Sequence, residues 1–182
     1  MGVLHPRERP VIYHHLTAFD PRDGIDLFNQ PPEFLYAVTV WGEARGRTLT
    51  EKQAVAAVIL NRARKPFAAS GKPMWWMSAP QANLLGRVAS VVTHPWQFSC
   101  FNASDPNRDK LPYAPEKEPE AWKECVAVCA AMLDGLLSDP TNSADHYHSF
   151  SLADFALGKW PTWAKVGREC AVIGRFRFYR LA

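Results

Sequence analysis

Glu43 stands between a glycine and an alanine in the run Trp41-Gly42-Glu43-Ala44-Arg45-Gly46, at the end of an apolar stretch that reads as a helix. A carboxyl group so placed is poorly hydrated, and burial disfavours its charged form. That suits proton donation to an oxygen whose bond is breaking, the step that opens a glycosidic bond through an oxocarbenium-like transition state. Lifting a glutamate from ~4.3 to about 6 takes only roughly 2 to 2.5 kcal/mol of environmental bias. Arg45 must then point elsewhere, because a guanidinium in contact would act in the opposite sense. The spacing alone is met equally by a glutamate in a solvated last turn.

Other groups admit other chemistry. Asp139 and Asp145 are the carboxylates that would permit ordinary hydrolysis if either faced Glu43 across a cleft. Cys100 with His146 or His148 as base would make a cysteine peptidase, although separation along the chain is a poor guide to geometry. In His146-Tyr147-His148 the residues alternate as in a strand, so the histidines share one face and Tyr147 takes the other. A zinc site built on that pair needs a further ligand at a suggestive spacing, and none is evident. The remaining cysteines show no paired C-x-x-C spacing, and Cys125 and Cys129 fall four apart on an apolar helix face, as buried thiols do. No metal and no cofactor are expected.

The elements that must position these groups are mainly helical. Residues 1–30 lack a lasting period and read as an irregular arm, leaving 31–182 as the single domain. Phe34, Leu35, Val38 and Trp41 share one helix face, with Pro32 in the first turn and Gly46 just past the end. Thr48 with Glu51, and equally Thr50 with Gln53, have capping-box spacing ahead of an apolar stripe that runs to Asn61. Lys65 to Trp76 reads as a loop whose exposed Met74, Trp75 and Trp76 would line a groove, and a third helix is expected from Pro80 to Val92. An irregular region follows to Pro115, and then a helix from Pro119 to Gly135 carrying Trp122, Val126, Cys129 and Leu133. Asp139-Pro140-Thr141-Asn142 is turn chemistry, and Ala164 to Arg180 reads as two short strands turning near Gly174. The fold class is α+β.

Composition narrows the classes. With 182 residues, 47% apolar and 21% charged, the chain has enough apolar residues for one real core and too few charges for a disordered chain. A net charge of +3 favours an anionic partner without choosing one. The basic cluster at Arg168, Arg175, Arg177 and Arg180 alternates with Phe176, Phe178 and Tyr179, the pattern of a strand with one solvated face rather than a nucleic-acid site. Charges and histidines interrupt Met1 to Asp20, unlike a secretory signal, and no run approaches the ~20 apolar residues that cross a bilayer. Synthesis in the cytoplasm and a monomeric state are expected.

Several fragments, taken in order, resemble the SleB-type cell-wall hydrolases, the family that includes spore-cortex-lytic enzymes. They are Trp41 to Gly46, Ala54 to Arg62, Gln97-Phe98-Ser99, Asp139 to Asn142, His146 to His148, and Ile173-Gly174 with Phe178 to Arg180. The resemblance implies a mainly helical, lysozyme-like domain with a small C-terminal β-hairpin. Such a domain cuts peptidoglycan glycan strands between N-acetylmuramic acid and N-acetylglucosamine. It places the catalytic glutamate on Glu43, which would give its proton to the glycosidic oxygen and then take one from the muramic acid 6-hydroxyl. It also implies a groove lined by Gln97, Phe98, Ser99 and a residue of His146, Tyr147 and His148. Without a signal, a phage endolysin released after membrane opening is the expected setting; a Cys100 endopeptidase and a non-catalytic glycan-binding or virion structural protein are the alternatives. Three departures stand out: Arg47 where an acidic residue is usual, Ser143 where glycine is usual, and an apparent insertion from Met74 to Val92.

Overall fold

A computed structural model describes the chain over residues 27–65, 76, 83–149 and 161–181. Most of the expected arm, and Met74 and Trp75 of the expected loop, lie outside the described residues. A 3-10 turn, Leu27–Asn29, leads into helix α1, Pro32–Ala44. Its Phe34 to Trp41 segment is buried on every side, so α1 is the central helix rather than a surface one. Around it pack α2, Leu49–Arg64, α3, Leu84–Val92, and α5, Pro119–Leu133, while α4, Ala114–Lys117, is a single turn leading into α5.

Local chemistry sets the ends of these helices. Of the two possible capping boxes, the chain uses Thr48 and Glu51: Thr48 Oγ1 accepts from Glu51 N, and Glu51 Oε2 accepts from Thr48 N at 3.0 Å. The third helix is shorter than expected because Asn83 caps it, its Oδ1 accepting from Gly86 N at 2.7 Å. Gly135, at φ 72°, follows the end of α5 in the left-handed region that glycine enters without strain. Ala54, Ala56 and Ala57 of α2 are fully buried, and the Tyr36 hydroxyl of α1 is satisfied by Ala56 O at 2.8 Å. Lys52, buried on α2, reaches its ion-pair partner Glu124 on α5. Phe34 and Trp122 meet at 5.5 Å between ring centres, joining α1 to α5.

The hairpin expected from the sequence is present as β2, Arg168–Ile173, and β3, Phe176–Arg180, and gains a third strand, β1, His146–Ser149. The sheet is antiparallel with order β1-β3-β2, and His146 pairs with Tyr179, Tyr147 with Phe178 and His148 with Arg177. A bulge at Cys170 shifts the β2–β3 register. Phe176 and Phe178 turn inward, whereas Arg168, Arg175 and Arg180 stay exposed and Arg177 pairs with Glu169 at 2.8 Å. The β2–β3 turn needs Gly174: its φ is 56°, and a Cβ there would collide with the Glu51 carboxylate. Glu51 Oε1 accepts from Arg175 N at 3.1 Å, so the capping glutamate of α2 also anchors the hairpin.

Cys125 and Cys129 are buried thiols on α5, and burial pushes Cys125 up to about 12. Among the described residues no helix is long and apolar enough to cross a membrane, and no cluster of three His, Cys, Asp or Glu is placed to hold a metal ion.

Candidate active site

Glu43 occupies the last turn of α1, half-buried, with its carboxylate held by three donors from distant parts of the chain. Its Oε1 accepts from Ser99 Oγ and from Cys100 N, each at 3.2 Å, and its Oε2 accepts from Tyr147 Oη at 3.0 Å. The apolar, sealed setting suggested by the sequence is therefore replaced by a polar cradle. Gly42 makes the cradle possible. A Cβ at that position would lie 2.7 Å from Cys100 Cβ, 2.8 Å from its Sγ and 3.0 Å from Leu111 Cδ2, so only glycine lets the Ser99–Phe101 turn close against the helix end.

Arg45 points away, as the chemistry required. Its guanidinium lies 4.4 Å over the Trp41 ring, and its nitrogens donate to Glu118 Oε1 at 3.1 Å and to Asn107 Oδ1 at 2.8 Å.

A groove of about 470 Å³ opens over Glu43. Ser99, Asn102, Gln97 and Arg62 line it on the helical side, and His146 to Ser149 with Trp163 line it on the sheet side. Glu43 is the sole carboxylate among the described lining residues. The run His146 to Ser149 reaches the groove together because β1 is an edge strand met from its side. Tyr147 is fixed by Phe176, perpendicular at 5.4 Å, and Phe178 at 5.9 Å. Burial and the negative charge of Glu43 push its hydroxyl well above the usual tyrosine range, which keeps it a proton-bearing donor.

Phe98 departs from expectation. It is 2% exposed and packs in the core, with the Arg62 guanidinium 5.3 Å from its ring centre. Its backbone is extended, φ −130° and ψ 125°, so neighbours alternate: Gln97 and Ser99 face the groove and Phe98 faces inward. The polar-apolar-polar order of the motif carried that signal. Trp76, expected to be exposed, is also buried, edge-on to His146 at 5.9 Å and beneath Lys65.

The two aspartates do not face Glu43. Asp139 organises its own turn, accepting from Thr141 N, Thr141 Oγ1, Ser143 N and Asn61 Nδ2 at 2.6–2.9 Å, and these donors outweigh burial to hold it below the usual range. Within that turn Ser143 adopts φ 64°, a conformation that explains glycine as the ordinary residue there. Asp145 is fully buried. Burial alone would raise it, but His146, Lys65 and Leu181 N hold it at about 2. It receives His146 Nδ1 at 2.6 Å; burial keeps the His146 ring below its ordinary value, hence neutral near pH 7, wedged 5.0 Å from Trp163.

Five of the described groove residues escaped the sequence reading: Arg62, Trp96, Asn102, Ser149 and Trp163. Arg62, 4% exposed, donates to Asp145 O at 2.5 Å and Gln97 Oε1 at 3.2 Å; burial lowers it to about 10, so it remains a cation near neutrality. Trp96 lines the rim with φ 67°, which costs a non-glycine residue about 1–2 kcal/mol.

A family model described as Cell Wall Hydrolase matches residues 46–179. The chain belongs to this family. The match begins just after Glu43, so the case for that residue rests on its surroundings. Among solved structures, this cell wall hydrolase is similar to the catalytic domain of the germination-specific lytic transglycosylase SleB from Bacillus anthracis. The identity is 23% over 87% of this chain and 98% of that one, with a TM-score of 0.55. It is similar also to the SleB catalytic domain from Bacillus cereus, with 22% identity, 86% and 99% coverage and a TM-score of 0.54. At these identities the likeness is one of fold. No curated protein sequence matches the chain.

The cell wall hydrolase does not present Cys100 as a nucleophile. Its thiol is 1% exposed, and burial together with the adjacent Glu43 charge pushes it well above the usual range, the reverse of an activated cysteine.

Proposed function

We propose that this chain cleaves the glycan strands of peptidoglycan between N-acetylmuramic acid and N-acetylglucosamine, with Glu43 serving first as acid and then as base. The observation that carries this reading is a carboxyl group, the sole one among the described lining residues, gripped by Ser99, Cys100 N and Tyr147 on the wall of an open polar groove. A strand lying in the groove brings its glycosidic oxygen to Glu43, which gives up its proton as the bond to the leaving sugar opens. The resulting carboxylate then accepts the proton of the muramic acid 6-hydroxyl as that oxygen closes on C1, giving a 1,6-anhydro sugar. Both hydroxyls of the cradle rotate between donating and accepting, so one set of partners serves the protonated and the ionised carboxyl. Gln97, Ser99 and His148 offer polar contacts to acetamido and hydroxyl groups.

A nucleophilic or water-activating second carboxylate would stand roughly 5 to 9.5 Å from the first. Among the described residues Asp139 and Asp145 are committed elsewhere and no other carboxylate lines the groove, which supports the intramolecular 6-hydroxyl route over hydrolysis. Glu43→Gln retains shape and hydrogen bonding without an acidic proton, and is expected to reduce wall lysis about a hundredfold or more. Undiminished lysis by that variant defeats the assignment and leaves a glycan-binding role. Mass spectrometry of the digest resolves the route: a terminal sugar lighter by one water marks the anhydro product, and a reducing muramic acid end marks hydrolysis.

A further inference from the structure

Trp96 is 82% exposed, whereas Trp41, Trp76 and Trp122 are buried and Trp163 is half-buried. Its backbone is no less unusual. The turn His94-Pro95-Trp96-Gln97 closes with Gln97 N donating to His94 O at 3.3 Å. Proline in second place and a residue at φ 67° in third follow the pattern of a turn that ordinarily puts glycine or asparagine there. A bulky aromatic at such a φ is a true outlier. One residue thus carries two penalties, a strained backbone and a large apolar ring left in water, and its ring lies on the rim of the groove that holds Glu43. Strain and exposure together at a groove mark a residue kept for what it contacts.

We propose that Trp96 is a stacking platform for an N-acetylglucosamine ring of the strand whose bond meets Glu43. The ligand's identity rests on the function proposed above. A pyranose with equatorial substituents presents a flat C–H face that packs on an indole, and the ring left in water gives that face apolar area to cover. N-acetylglucosamine is the fitting unit of the strand. It lacks the lactyl-peptide branch that would prop the muramic acid ring away from a flat surface. A platform on the rim also leaves the branches of neighbouring units in solvent.

The test measures binding of the N-acetylglucosamine tetramer by calorimetry to the full chain, beside thermal melting. Trp96→Gly is expected to weaken binding about tenfold or more while melting at the same or a higher temperature, because glycine relaxes the turn. Trp96→Tyr restores a ring and keeps affinity within about threefold. Equal affinity of Trp96→Gly and the parent overturns the platform and leaves Glu43 untouched. Weakened binding with a melting point several degrees lower also overturns it, since the ring would then be structural. Failure of the parent to bind the tetramer overturns it together with the reading of the groove, and lysis by Glu43→Gln still scores the acid independently.

Discussion

Replacing Gly42 by alanine sets two effects of known size against each other. In an exposed helix this change is stabilising by roughly 0.5–1 kcal/mol, because glycine loses more backbone freedom on folding. Here the added Cβ meets Cys100 Cβ at 2.7 Å, Cys100 Sγ at 2.8 Å and Leu111 Cδ2 at 3.0 Å. Cys100 and Leu111 are both buried, so neither has solvent to swing into. Overpacking of this kind costs about 1–3 kcal/mol, so the difference spans about 0–2.5 kcal/mol, and with both blocking residues buried a net loss of about 1–2 kcal/mol is expected. For a chain of this size that lowers the melting temperature by about 2–8 °C. The obstructing Cβ cannot move without the Cys100 backbone, whose N–H lies 3.2 Å from Glu43. Restoring ordinary contact takes that turn outward by about 1 Å, beyond hydrogen-bond reach, and the Ser99 donor leaves with it. A displacement of that size at a reacting group costs up to a hundredfold in rate. Thermal melting and turbidity loss of purified cell walls measure the two consequences. Adding Cys100→Gly removes both obstructing atoms of that residue and should recover part of each loss, a non-additivity expected only of groups in contact. A Gly42→Ala variant as stable and as lytic as the parent would refute the reasoning.

The Tyr147→Phe change keeps the ring between Phe176 and Phe178 but deletes one donor to Glu43; a hydrogen bond to a charged group is worth about 1.5–3 kcal/mol, so the melting temperature should fall by up to several degrees and the lytic rate roughly tenfold to a hundredfold, since the carboxyl loses the group that orients it. Asp145, held at about 2 in the fold, contributes about 2 kcal/mol that is fully present above about pH 5 and drains away as the pH falls from about 4 towards 2. His146 is disfavoured as a cation in the fold, so it adds a loss that begins as the pH falls below about 6.5. Urea midpoints between pH 8 and pH 2 should decline in those two windows, and a flat profile between pH 5 and pH 3 would contradict the Asp145 assignment. Iodoacetamide on the native protein should label Cys170 and spare Cys100, with lysis unchanged; inactivation tracking Cys100 labelling by mass spectrometry would revive the thiol as nucleophile.

The helices were legible because their signals are local. Pro32, the Thr48 and Glu51 box, Pro119 and Gly135 act within one or two turns of themselves. The approach of Glu43, Ser99 and Tyr147 was legible only through family resemblance, since 56 and 104 residues separate the partners. Arg62 illustrates what stays hidden. In sequence it is an ordinary basic residue in the last turn of a helix, where a cation suits the dipole and normally remains in water. It is buried because Asp145 O and Gln97 Oε1, from opposite sides of the groove, supply acceptors that no local pattern announces. The strand β1 was recognised by alternation, but its place beside β3 depends on pairing across about thirty residues. Trp96 was invisible as a strained residue because Pro95 before it gives no warning of a left-handed φ at a tryptophan.

The carboxylates of this chain divide by how completely their own protein satisfies them. An ionised carboxylate offers about four acceptor sites. Asp139 accepts four donors from its own turn and from Asn61, and Asp145 is enclosed by Lys65, His146 and Leu181 N. Glu51 spends its two oxygens on Thr48 and Arg175, pinning a helix to a hairpin. Each is tied to segments far apart in sequence, so each fixes structure and has little capacity for a substrate. Among the described residues, Glu43 alone combines a partial set of three donors with an adjoining open groove. Capacity left unfilled beside a groove is what a proton-transferring carboxyl requires, because the proton must pass to an atom the protein does not own. The structural carboxylates serve that arrangement indirectly. Asp145 and Glu51 hold the sheet against α2, and the sheet carries Tyr147 to within 3.0 Å of the Glu43 carboxyl. Loosening either anchor should therefore cost catalysis through Tyr147 before it costs the helical core, and the acid limb of stability set by Asp145 should coincide with loss of lysis rather than follow it.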